Sequence, residues 1–281
     1  MNVKPYFVSK PLFPICLLTS IFIFTQFVPQ ETPKPRVKIN TPYGPILLEL
    51  YNETPLHRDN FLALADSGFY DSLLFHRVIN QFMIQGGDPL SRNAAPNKKL
   101  GAGGPGYTLS AEFTPSAFHK RGALAAARKS DRQNPQKASS GSQFYIVQGM
   151  VFTPEKLMQV QKQRKMKAVQ DALRARFSDP ENSEERNALL HAQQSGDQAL
   201  YDSLFAVAQT HITLDSSRFV FSQEQIEAYT TIGGTPQLDG DYTVFGEVLE
   251  GMDIIDSIAQ VAVNRHNRPM EDVWMTIEVM R

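Results

Sequence analysis

A chain of 281 residues has room for one or two domains. Hydrophobic residues make up 42% and charged residues 20%, near the globular average, which excludes a wholly disordered or coiled-coil chain. Lys plus Arg number 28 against 29 for Asp plus Glu, and a net charge of −1 lacks the basic excess of a dedicated nucleic-acid binder. Cys16 is the single cysteine, so no disulfide forms within the chain and no zinc site uses two thiolates. The six histidines are scattered without the HxxxH spacing of a helical metal site.

Residues 11–30 carry no charge and follow Lys4 and Lys10, the order of a basic n-region and an apolar stretch. Leu12 to Val28 is at the lower edge of a bilayer span. Residues 1–30 therefore read as a signal or anchor: an uncleaved anchor, a cleaved signal, or a lipidated Cys16. Small residues are poorly placed for cleavage, with Ser20 the best, and Ile15 precedes the cysteine. Each version expects the remainder outside the cytoplasm, membrane-anchored or secreted across the inner membrane to the periplasmic side. Residues 31–36 form a short Pro-containing tether.

Val37–Asn40 and Ile46–Tyr51 flank a TPYG turn signal and read as a hairpin. Thr54-Pro55 opens a helix carrying Phe61, Leu62 and Ala65, which stops at Gly68. Leu73–Ile79, Phe82–Gln85, Tyr107–Leu109, Ala123–Ala127 and Gln143–Gln148 are strand-like. From about residue 151 the pattern turns helical. Leu157, Val160, Met166, Val169, Leu173 and Phe177 make an amphipathic helix over 155–177. Asp179-Pro180 reads as the cap of the next helix, which runs past Gly196 as a weak point. Ser222 and Gln225 form a capping box for a short helix ending before Gly233-Gly234. Tyr242–Val248 resumes β character, Gly251–Ala259 is a candidate helix, and Val273–Met280 is a last strand with Trp274 read as core. Residues 37–150 and 233–281 are thus expected to build one β domain, with 151–232 inserted as a helical subdomain.

Three segments carry the chemistry: Phe75-His76-Arg77-Val78 running on to Phe82-Met83-Ile84-Gln85-Gly86-Gly87-Asp88, then Gly141-Ser142-Gln143-Phe144-Tyr145-Ile146, then Leu238-Asp239-Gly240 with Val244-Phe245-Gly246. Period two places Arg77 on one strand face with Phe75 and Ile79, where an arginine either snorkels at an edge or is held for a purpose.

In this order and spacing the three segments resemble the cyclophilin family of peptidyl-prolyl cis/trans isomerases. The resemblance covers 37–150 and 233–281. It implies a mainly β fold: a closed eight-stranded antiparallel barrel capped by helices, with the groove on its outer face. It assigns Arg77 as the catalytic arginine. Phe82, Met83 and Tyr145 become walls of a proline pocket, and Leu238 another apolar contact. Gln85 and Gln143 hold the peptide backbone, Ala127 lines the groove, and Tyr242 stands where many members carry histidine. Gln237 replaces a groove tryptophan found in some members, and Arg128 an asparagine. The implied activity needs no metal and no cofactor. The expected partners are proline-containing clients among exported proteins, met through the groove and through the insertion 155–230. A catalytically weak proline-peptide binding module, or a holdase chaperone, is the alternative, favoured by Gln237 and by the insertion.

Other patterns carry less. Gly101, Gly103 and Gly106 match GxGxxG, but Tyr107–Leu109 after them is strand-like, unlike a dinucleotide site. His76 alternates away from Arg77 and is expected as a hydrogen-bonded core histidine. No GxSxG is present, and Ser142 has no His or Asp partner nearby in sequence.

Overall fold

The computed structural model describes residues 1, 2, 4 and 33–281; the signal or anchor expectation for 1–30 lies outside the described residues. The chain divides into two units, 1–33 and 34–281, and everything below concerns the second. Among the described residues no helix is long and apolar enough to cross a membrane.

In chain order the elements are β1 (Arg36–Thr41), β2 (Gly44–Leu50), α1 (Pro55–Asp66), β3 (Leu73–Leu74), β4 (Arg77–Ile79), β5 (Met83–Gly86), β6 (Thr108–Leu109), β7 (Ala123–Ala126), β8 (Ser139–Ser140) and β9 (Phe144–Val147). Four helices follow: α2 (Pro154–Ser178), α3 (Ser183–Ser195), α4 (Gln198–Thr210) and α5 (Gln223–Thr231). The chain then returns to the sheet through β10 (Val244–Glu250), α6 (Met252–Ala259) and β11 (Trp274–Met280).

Nine strands form one antiparallel sheet in the order β3-β11-β1-β2-β10-β7-β9-β5-β4, while β6 and β8 pair separately. The sheet curls through 299° without closing, which corrects the expected closed eight-stranded barrel. The cause lies at Phe75-His76. Leu73–Ile79, expected as one strand, splits there into β3 and β4, so the two ends of the sheet are consecutive in sequence yet share no ladder. Val78 donates instead to the carbonyl of Asn267 at 2.8 Å, and the 264–268 turn occupies the seam.

Alternation sorts the strands into two faces. Ile39, Ile46, Leu48, Ile84, Leu124, Phe144, Ile146 and Ile277 point inward, where Phe61 of α1 and Ile255 and Ile258 of α6 complete the core. Trp274 breaks the expectation: it is 44% exposed, because the inward positions of β11 fall on Met275 and Ile277.

The helical segment has its own logic. Thr153 caps α2 by accepting from the Lys156 N–H at 3.3 Å, and Pro154 sits in the first turn where its missing N–H costs nothing. Asp179 caps a 3-10 turn over Pro180–Asn182 before α3 starts, so the helix begins later than the sequence suggested. The expected second helix is two. Gly196 adopts φ 72 beyond α3, and Asp197 opens α4 by accepting from the Leu200 N–H at 3.0 Å. Left-handed backbone is cheap for glycine, which makes this the natural breaking point. The capping box of α5 forms as read: Gln225 N–H donates to Ser222 Oγ at 3.2 Å, and Ser222 N–H to Gln225 Oε1 at 2.9 Å. A small cluster fastens these helices to the sheet domain, with Leu157 and Phe221 packed around Phe118 and Tyr229. The Tyr229 ring meets Phe118 and Phe221 edge-on at 5.6 and 5.7 Å.

Candidate active site

The outer face of β4, β5, β9, β7 and β10 carries one continuous row. Arg77 pairs with Gln85, Gln85 with Tyr145, Tyr145 with Ala125, and Ala125 with Val244. Directly paired residues project on the same side of a sheet, so the ladder lines these side chains up without further help. One end of the row is polar and the other apolar.

At the polar end, Arg77 Nη1 donates to Gln85 Oε1 at 3.1 Å. Gln85 Nε2 donates to Gln143 Oε1 at 3.1 Å, and Gln143 Nε2 to the carbonyl of Gly103 at 2.7 Å. This relay fixes both amides and the guanidinium. Burial lowers the pKa of Arg77, yet an arginine stays charged under such conditions. It has no carboxylate partner among the described residues, so its charge is not neutralised within the protein.

At the apolar end, Met83, Ala125, Ala127, Tyr145, Val147 and Val244 form a buried patch, with Phe82, Leu238 and Tyr242 partly covered at its rim. The site residues taken from the resemblance thus fall into two adjoining groups on one face: Arg77, Gln85 and Gln143 in the relay, and Phe82, Met83, Ala127, Tyr145, Leu238 and Tyr242 in the patch. Two departures from the family pattern meet each other. The Arg128 guanidinium lies 4.5 Å from the centre of the Tyr242 ring, a cation–π contact, while its Nε donates to the Asp241 carbonyl at 2.6 Å. Gln237 faces the cleft beside α2 and lines that space instead of the patch.

The glycine-rich segment closes over the relay. Gly101 N–H donates to Asp88 Oδ2 at 2.5 Å, and a Cβ on Gly103 would stand 2.1 Å from Asp88 Oδ1, so only glycine fits there. The strand β6 follows it, and the dinucleotide pattern has no helix to serve it. His76 is buried as expected, but its ring nitrogens make no hydrogen bond of ordinary geometry among the described residues. Burial pushes its pKa down to about 4, and the ring is neutral at neutral pH.

Sequence reasoning missed a buried network behind Tyr145. The Tyr145 hydroxyl lies 2.9 Å from His119 Nε2, His119 Nδ1 lies 2.8 Å from Asp239 Oδ1, and the Tyr229 hydroxyl donates to Asp239 Oδ2 at 2.6 Å. With the carboxylate on Nδ1, that nitrogen carries the proton and Nε2 accepts from Tyr145. Asp239 sits inside the recognised Leu238-Asp239-Gly240 segment, the one signal that pointed here.

A family model described as cyclophilin type peptidyl-prolyl cis-trans isomerase/CLD matches residues 36–157 and 181–279. The chain belongs to this isomerase family. Putative peptidyl-prolyl cis-trans isomerases of Staphylococcus aureus (strain USA300) and Staphylococcus epidermidis are 29% and 28% identical to it over 239 residues, covering 85% of this chain and 87% of theirs. A crystal structure of a Cryptosporidium parvum cyclophilin type peptidyl-prolyl cis-trans isomerase superposes with a TM-score of 0.52 at 20% identity. That match covers 88% of this chain and 98% of the other. A second structure of the same Cryptosporidium parvum protein, in the presence of the dipeptide ala-pro, gives 0.51 at 21% identity. These likenesses place the cyclophilin fold on the open sheet described above.

Proposed function

We propose that this cyclophilin accelerates X–Pro rotation in exported polypeptides, with Arg77 acting on the amide nitrogen and the outer apolar patch taking the proline ring. The observation that carries this reading is the row itself: a guanidinium without a carboxylate partner among the described residues, held by Gln85, on the same sheet face as an apolar patch.

The planar X–Pro amide is dipolar, and its rotation barrier is about 18–20 kcal/mol. Twisting returns the lone pair to nitrogen. A cationic donor that reaches that lone pair stabilises the twisted state more than the planar one, which is differential binding. The apolar patch works in the same direction, because the twisted amide is less dipolar and loses less on leaving water. A thousandfold acceleration needs about 4 kcal/mol. One charge-assisted hydrogen bond supplies roughly 1.5–3 kcal/mol of it. The remainder falls to the patch and to Gln85 and Gln143 holding the peptide backbone. No step requires a nucleophile or a proton transfer.

The exported clients, and a site of action on the periplasmic side, rest on the uncharged stretch 11–30 behind Lys4 and Lys10. The helices 154–231 contribute to client choice: a cleft of about 1200 Å³ opens between α2 and the 131–137 and 237–241 segments, beside Leu238. NMR exchange on a short Ala-Pro peptide tests the proposal. Accelerated exchange, with shifts gathered around Arg77 and Tyr145, is the expected result. Unaccelerated exchange with the same shifts makes the protein a binding module, and an absence of shifts there overturns both readings.

A further inference from the structure

Beside Arg77 lies a second cavity, of about 270 Å³, whose lining includes none of the patch residues. Its charged lining is of one sign: Arg77, Lys98, Arg128 and Arg268, together with the imidazoles of His76 and His266. The carboxylates that meet these cations stand outside the lining. Asp131 pairs with Arg128 at 2.6 Å, and Asp272 with Arg268 at 2.8 Å. Arg77 and Lys98 have no carboxylate partner among the described residues; Lys98 reaches only the Leu90 carbonyl, at 3.3 Å.

The floor is built and incomplete. Arg268 is 3% exposed, and its Nη atoms are used on the carbonyls of Ala94, Ala95 and Lys98, but its Nε has no acceptor. His76, also 3% exposed, makes no side-chain hydrogen bond of ordinary geometry, and only the Leu74 backbone acts on its ring. A buried donor without an acceptor carries a desolvation cost. Water supplies acceptor lone pairs but no charge to offset Arg77 and Lys98, the two cations without a carboxylate among the described residues. An oxyanion supplies both.

We propose that this cavity receives the carboxylate of an acidic client side chain on the residue preceding the isomerised proline. The inference rests on the reading of Arg77 and the patch given above. Arg77 and Gln85 belong both to the relay and to the cavity lining, so a side chain next to the proline lies within reach of the cavity. The site thereby selects Glu-Pro and Asp-Pro bonds over neutral X-Pro bonds.

Three peptides test it: Ala-Glu-Pro-Phe, Ala-Gln-Pro-Phe and Ala-Lys-Pro-Phe, blocked at both ends. Affinity is read by NMR titration of the protein at low and high salt, and catalysed exchange in the same samples. The Glu peptide binds about tenfold tighter than the Gln peptide at low salt, the scale of one charge-assisted contact, and the Lys peptide binds weakest. The gap shrinks at high salt because Lys98 and His266 stand at the exposed rim. Lys98→Glu, at an exposed position, removes the Glu preference and leaves affinity for the Gln peptide unchanged. Equal affinities for Glu and Gln overturn the proposal, as does a Glu preference that survives Lys98→Glu. A Glu preference without catalysed exchange of any peptide supports the cavity's role and sinks only the isomerase reading of Arg77.

Discussion

Tyr145 and Tyr229 are joined through two buried side chains: the Tyr145 hydroxyl meets His119 at 2.9 Å, and the Tyr229 hydroxyl meets Asp239 at 2.6 Å on the far side of the same network. One tyrosine forms the apolar patch and the other belongs to α5. The helical segment is therefore tied to the apolar patch by hydrogen bonds as well as to Phe118 by the Phe221 and Tyr229 rings.

Tyr229→Phe tests that tie. The substitution keeps the ring contacts and removes one hydrogen bond to a carboxylate, at a cost of roughly 1.5–3 kcal/mol. Denaturant titration should report that loss. Exchange measurements should show a modest fall in kcat/KM, of about two- to fivefold if the positional loss reaching Tyr145 is under 1 kcal/mol. Tyr145→Phe retains the apolar wall but strands His119 Nε2, and should cost about 1–3 kcal/mol in stability while keeping most activity.

His76 predicts a pH dependence of stability. Its pKa is pushed down to about 4 by burial, below the ordinary value of 6.5. On acidification the unfolded chain takes up a proton near pH 6.5, whereas the folded chain resists until about pH 4. Stability is full above pH 6.5 and is lost as pH falls through this window, by roughly 3 kcal/mol at its lower end. Burial lowers His57 as well, against the pull of Glu112, and adds in the same direction. His76→Asn should flatten the stability profile between pH 7 and 4 in denaturant titrations. A slope unchanged by that variant would assign the loss elsewhere.

The helical hairpin α3–α4 leans on α2 and makes its ion pair there, Arg176 with Glu185 at 2.8 Å. Replacing residues 179–211 by a short Gly-Ser linker should leave a folded protein with unchanged activity on a tetrapeptide. Activity on long unfolded clients should change, because Leu214 and Arg218, which line the cleft, follow closely on α4 and lose that connection. Removing all of 155–230 is a different experiment. It takes away Tyr229 and Phe221, uncovers Phe118, and should destabilise the sheet domain itself.

The recognised segments named Arg77, Met83, Gln85 and Tyr145 before any coordinates, but not Ala125 or Val244 beside them. Strand alternation and pairing are what put Arg77, Gln85, Tyr145, Ala125 and Val244 in one row. The open seam was not readable: nothing in Leu73–Ile79 signals that Phe75-His76 leaves the ladder, since both halves are as apolar as one strand. Trp274 was misplaced because aromatic character outweighed register, whereas pairing with Leu74 sets which neighbours face inward. The His119, Asp239 and Tyr229 network and the basic cavity assemble residues far apart in the chain. No spacing rule links position 98 to 266–268, and only the fold brings them together.

The central claim is that a charged, directional donor at position 77 lowers the rotation barrier. NMR exchange of an X–Pro peptide with the wild type, Arg77→Ala and Arg77→Lys, at matched thermal stability, tests it most directly. Arg77→Ala should lose about 10- to 100-fold in kcat/KM, the equivalent of one charge-assisted hydrogen bond. Arg77→Lys should recover little of that loss, because an ammonium keeps the charge and loses the planar fork that Gln85 orients. Peptide affinity should change far less than rate in both variants. Wild-type exchange rates in Arg77→Ala would contradict the account.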